Sequence, residues 1–115
     1  MIFRRILSAK TVKREMRFLT ELPANRIAPQ LDKRFEGEKI IVQGAVDVCF
    51  IEDDGVVVLD FKTDRVDNPN ALVEAYGKQL NIYAKACEKI FEMPVKQKII
   101  YSFALREEID IPNVE

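Results

Sequence analysis

The chain has 115 residues, room for a single domain, and its 48% hydrophobic and 32% charged residues suit a packed core under a solvated surface. Lys and Arg number 18 against 19 Asp and Glu, a formal net charge of −1, so any polyanion would have to be met by a local basic patch. Histidine is absent, which excludes Ser-His-Asp and Cys-His catalysis and every His-containing metal site unless another chain supplies the ligand.

The opening "MIFRRILSAKTVKREMRF" is basic but lacks the apolar segment and small-residue cleavage site of a signal peptide. Ile2, Phe3, Ile6 and Leu7 fall at helical spacing, so residues 2–9 read as a short amphipathic helix, the end of an upstream element. "TVKREMRFLTEL" reads as a strand ending at Pro23, and residues 22–37 as a polar, proline-containing loop. The β-branched run "KIIVQGAVDVCFI", the acidic turn "EDDG" and the run "VVVLDFK" predict a β-hairpin.

"RVDNPN" then breaks the chain. Asn68 suits a helix N-cap and Pro69 the first helical position, where its missing N–H costs nothing. The helix that follows carries Leu72, Tyr76, Leu80, Tyr83, Cys87 and Ile90 along one stripe and is ended by Pro94. "VKQKIIYSFAL" predicts a further strand, and residues 106–115 a short strand or tail. The order strand, hairpin, helix, strand predicts one α/β domain over residues 1–115, a small mixed β-sheet flanked by helices with one parallel pair made by a right-handed crossover. Cys49 and Cys87 sit among apolar neighbours without a CxxC spacing, which predicts buried free thiols and a reducing compartment. No run of about 18 apolar residues is present to span a membrane.

Strand periodicity sets Val56, Val58, Asp60 and Lys62 on one face of the second hairpin strand. The partner strand carries Asp47. A two-residue loop at Asp54-Gly55 would set Asp47 opposite Lys62, and one at Asp53-Asp54 would set it opposite Asp60. Either register puts the two carboxylates and the amine on one face. Such a group is an ion-pair cluster at a sheet rim or a seat for a hard divalent cation, since Mg²⁺ binds through one or two carboxylates and keeps several waters. Gly44, three residues before Asp47, predicts a close backbone approach or a bulge.

The ordered set "GAVD", "LDFKTDR" and "QLNIY", with "REMRF" ahead of it, resembles the RecB-type branch of the PD-(D/E)xK nucleases over roughly residues 12 to 105. The resemblance implies a restriction-endonuclease-like core, here truncated at its N-terminus, within a bacterial helicase-nuclease of double-strand-break repair and recombination. It implies a Mg²⁺-dependent exodeoxyribonuclease (Mn²⁺ serving as well) acting on DNA, cytoplasmic and paired with a second subunit. Asp47, Asp60 and the main-chain carbonyl of Phe61 would hold the metal and Lys62 would be the catalytic lysine. Gln79 and Tyr83 match the QxxxY element that shapes the active site, although Tyr83 alone reads as a core aromatic. Thr63 and Arg65 would reach a phosphate, Arg65 having Asp64 or Asp67 as alternative partners. Glu15 matches a position to which the sequence assigns no role. Members of this branch usually carry a further ligand, a histidine on an upstream helix. Its absence implies weaker cation binding and an isolated fragment without activity, so a non-catalytic module that binds DNA or docks a partner is the alternative.

Overall fold

The computed structural model describes residues 2–24 and 37–112. Most of the loop expected at 22–37 therefore lies outside the described residues. The elements are α1 (Ile2–Ser8), β1 (Thr11–Pro23), β2 (Lys39–Glu52), β3 (Gly55–Lys62), α2 (Pro69–Phe91), β4 (Val95–Ser102) and β5 (Glu107–Asp110). The five strands form one sheet in chain order, antiparallel except for the β3–β4 pair joined by α2. The mixed sheet and its single parallel crossover are those expected.

Strand β3 lies at the centre with a helix on each side, so both of its faces are apolar. Val56 and Val58 join the α2 side with Leu72, Leu80 and Cys87, while Val57 and Leu59 join the α1 side with Ile2, Ile6 and Phe50. A strand covered on both faces reads as an unbroken hydrophobic run, which accounts for "VVVL". Helix α2 begins as expected. The Asn68 side chain accepts the Ala71 amide at 3.2 Å, Pro69 opens the first turn, and left-handed Glu92 closes the helix before Pro94. Buried Asn81 ties the helix to the far edge, donating to the carbonyls of Gly77 and Pro112 at 2.8 and 3.1 Å and accepting from Lys98.

Several expectations are corrected. Ile90, set on the apolar stripe, is 43% exposed because the sheet is already covered by Cys87 and Phe91. Strand β4 stops at Ser102, whose hydroxyl accepts the Leu105 amide at 3.0 Å and turns the chain before left-handed Arg106. Of the two readings of residues 106–115, the short strand is the one found: residues 107–110 pair with β4, and Ile109 and Ile111 are buried.

The hairpin takes the register that pairs Glu52 with Gly55, leaving Asp53-Asp54 as the loop. Gly55 is required in the strand, because a Cβ there would lie 2.7 Å from the Pro94 carbonyl, which accepts the Val56 amide at 2.9 Å. Gly44 is the expected close approach, since a Cβ would come within 2.5 Å of the Tyr83 ring.

Candidate active site

Face alternation fails at one place in β1 and β2. Val12 packs on the α1 side but Met16 and Phe18 on the α2 side; Val46 packs on the α2 side but Val48 on the α1 side. Both reversals flank the Glu15–Asp47 position, the one step absent from an otherwise continuous register. Glu15 takes a left-handed φ of 49° there. The two strands turn over together, and beyond Val48 the β2–β3 pairing stops.

The carboxylates fill the gap so made. The Asp47 amide donates to Asp60 Oδ1 at 3.1 Å, and the Phe61 amide donates to Asp47 Oδ2 at 2.9 Å. Each side chain thus replaces a missing main-chain partner on the neighbouring strand. Asp47 is exposed at the mouth and Asp60 is 5% exposed. Asp60 and Lys62 share a face as alternation requires, with Lys62 Nζ 3.9 Å from Asp60 Oδ2. Asp47 joins them by reaching across the parted strands, which corrects the expectation that simple alternation would bring it there.

Burial pushes the Asp60 carboxyl above its ordinary value, and the neighbouring Asp47 charge adds to the rise, outweighing the Asp47 amide and Lys62. A residue's N–H and C=O leave a strand on the same side, so the Phe61 carbonyl is directed toward this gap, whereas the Lys62 carbonyl accepts the Phe103 amide at 3.0 Å on the β4 side. The donors gathered here are oxygens, which suits a hard divalent cation that keeps part of its water shell. Among the described residues no group of three or more Asp, Glu or Cys side chains gathers to hold an ion.

Other expected residues are placed differently. Thr63 and Arg65 are exposed in the segment after β3, and Arg65 forms no ion pair among the described residues. Gln79 is exposed, and Tyr83 is half-buried with its ring edge-on to Phe18 at 5.2 Å. Among the described residues neither hydrogen-bonds to the carboxylates. The helix residue that reaches the site is Tyr76, which meets Lys62 and Asp64 and was read in the sequence only as part of the apolar stripe. Its ring centroid lies 4.0 Å from Lys62 Nζ, and its hydroxyl donates to Asp64 Oδ2 at 2.7 Å. The available signal was a polar-tipped aromatic in the second turn, beside the chain segment leaving the carboxylates.

A cavity of about 870 Å³ borders the site on the α1 side, lined by Phe3, Leu7, Arg14, Glu15, Asp47 and Phe61. Both cysteines are buried free thiols, pushed by burial to about 11 at Cys49 and about 12 at Cys87. Among the described residues no helix is long and apolar enough to cross a membrane.

The chain is similar to known proteins. Over 109 residues, 94% of the chain, it is 39% identical to an ATP-dependent helicase/nuclease subunit of Clostridium botulinum strain Okra. It is 43% identical over 101 residues to the subunit of the same name from Thermoanaerobacter sp. strain X514, and spans 8% of the length of either relative. The likeness to a helicase-nuclease subunit expected from the motifs is therefore present. The fold is that of the solved protein SSO0001, with a TM-score of 0.53 and 18% identity over 90% of this chain and 43% of that one. Residues 3–111 match the PD-(D/E)XK nuclease superfamily, and with the carboxylates and lysine of β2 and β3 at its centre the chain belongs to that superfamily.

Proposed function

We propose that this chain is the nuclease core of an AddA-type helicase-nuclease, and that within the full-length protein it serves as a cation-dependent exodeoxyribonuclease that hydrolyses DNA phosphodiester bonds in cytoplasmic double-strand-break repair and recombination. The observation that carries the reading is the meeting of Asp47, Asp60 and Lys62 where β2 and β3 part. Asp47, Asp60 and the Phe61 carbonyl would hold Mg²⁺ or Mn²⁺. When bound, such an ion supplies Lewis-acid polarisation of a phosphate oxygen and neutralises developing charge.

The chain's own groups do the rest. Lys62 directs its N–H donors at the phosphate or the attacking water, stabilising the negative charge that develops. Thr63 and Arg65, exposed beyond the end of β3, bind the flanking backbone phosphates, and Gln79 and Tyr83 shape the DNA path. Ligands of sheets with parallel strands bind beyond the carboxyl ends of those strands, where Lys62 and Thr63 lie. An AddB-type subunit is the expected partner.

The competing reading, a non-catalytic module that binds DNA or a partner, draws on the absence, among the described residues, of a third acidic side chain gathered with Asp47 and Asp60. The test is cleavage by the full-length protein carrying Asp60→Ala or Lys62→Ala. Loss of Mg²⁺-dependent cleavage in both with ATP hydrolysis retained is expected; intact cleavage in either would sink the nuclease assignment.

A further inference from the structure

We infer that Tyr76 is the positioning residue of Lys62, an inference that rests on Lys62 serving the cleavage reaction. Lysine carries its charge on a flexible four-carbon stem, so an amine that works at one point must be seated by its surroundings. Asp60 does not seat it alone: at 3.9 Å the carboxylate attracts the ammonium but is beyond hydrogen-bonding reach. The Tyr76 ring supplies the second constraint, its centroid 4.0 Å from Nζ, within the range of a cation–π contact.

The ring is itself held at both ends. Its backbone belongs to the second turn of α2, whose first turn is fixed by Asn68 and Pro69. Its hydroxyl is tied to Asp64 at 2.7 Å, two residues beyond Lys62 in the chain. Tyr76 therefore restrains both the amine and the segment carrying Thr63 and Arg65. A ring face also differs in kind from a second carboxylate. It limits where the ammonium sits without accepting conventional hydrogen bonds, so the three N–H donors stay available for a phosphate oxygen or water. A site that must hold a lysine and still let it donate is served by this arrangement.

The test compares Tyr76→Phe, pentafluorophenylalanine at position 76, Tyr76→Leu and Lys62→Ala in the full-length protein. Pentafluorophenylalanine keeps the shape of Phe and inverts the charge of the ring face, so it separates cation attraction from packing. Expected are a kcat for Tyr76→Phe within about 3-fold of wild type, a further fall of about 10-fold with the fluorinated ring, and the same KM for DNA in the two ring variants. In nuclear magnetic resonance spectra the Lys62 ε-methylene protons should be shifted upfield by the ring and released in Tyr76→Leu. Equal kcat for the two ring variants, or Lys62 shifts that ignore Tyr76→Leu, would overturn the role of Tyr76 while Lys62→Ala remains inactive. Normal cleavage by Lys62→Ala would instead overturn the reading on which the role rests.

Discussion

The β2–β3 hairpin carries acidic and basic groups at both ends, and the two ends are built on opposite principles. At the turn, Glu52 accepts Arg5 at 2.8 and 3.1 Å and Lys96 at 2.8 Å, while Asp54 accepts Lys96 at 2.6 Å. Two carboxylates there meet two cations at contact distance, and the hydrogen bonds from Arg5 and Lys96 hold the Glu52 carboxyl at about 2. At the parted end, among the described residues, Asp60 has one cation, Lys62, at 3.9 Å and Asp47 forms no ion pair, and Asp60 is shifted the other way by burial. Both ends are charge clusters at a sheet rim, but only the turn is built as an ion-pair cluster. The parted end sets a buried carboxylate, Asp60, beside an exposed one, Asp47, and the buried charge costs free energy unless a cation offsets it.

The largest expected effect that tests this contrast is on activity. Asp60→Asn keeps the shape and an oxygen for the Asp47 amide, yet should lower cleavage by about 10²-fold or more. The same substitution should raise Tm at pH 7, because it removes a buried charge beside Asp47; differential scanning calorimetry checks this, and a fall in Tm would mean the two ends are alike. Glu52→Gln is the mirror experiment. It should leave cleavage unchanged and cost about 1 kcal/mol of stability, since it weakens bonds to two cations in a partly solvated setting.

Acid titration reads the two ends with opposite signs. The Glu52 carboxyl is held below its unfolded value near 4.5, so its contribution is complete above that pH and is lost as pH falls toward about 2. Asp60 has a raised folded value, so the native state binds its proton more readily, and its contribution is present at low pH and lost as pH rises through that value. Melting temperatures against pH should therefore show a smaller acid-side loss in Glu52→Gln than in wild type, and a larger fall from neutral to acid pH in Asp60→Asn.

Much of this arrangement was legible in the residues. The apolar run of β3, the Asn68-Pro69 helix start and the crowding at Gly44 each follow from local chemistry, and the pairing of Asp60 with Lys62 follows from strand alternation. What could not be read was non-local. The reversal at Glu15 and Asp47 needs a left-handed φ at a glutamate, which nothing in "KREMRF" marks. The hairpin loop looked free to use Asp54-Gly55, a common turn pair, but Gly55 is needed where the Pro94 carbonyl passes. Tyr76 and Tyr83 occupy equivalent places on one helical stripe, and only the tertiary packing sends one to Lys62 and the other to Gly44 and Phe18.

The smallest expected effect refines the contrast within the turn. Asp54 and Glu52 share Lys96, but the Asp54 side chain is 73% exposed against 23% for Glu52. An exposed pair gains little because water already solvates both partners and salt screens what remains. Asp54→Asn should therefore leave Tm within the scatter of replicate melts at about 0.15 M salt, while Glu52→Gln lowers it measurably. If both lowered Tm equally, Lys96 and its two carboxylates would act as one unit, and the stability of the turn would come from the network rather than from the more shielded Arg5–Glu52 bond. Equal effects would also weaken the distinction drawn for the parted end. Burial, more than the number of charges, is what sets Asp60 apart from Asp54, and the turn is where the effect of burial can be measured without disturbing cleavage.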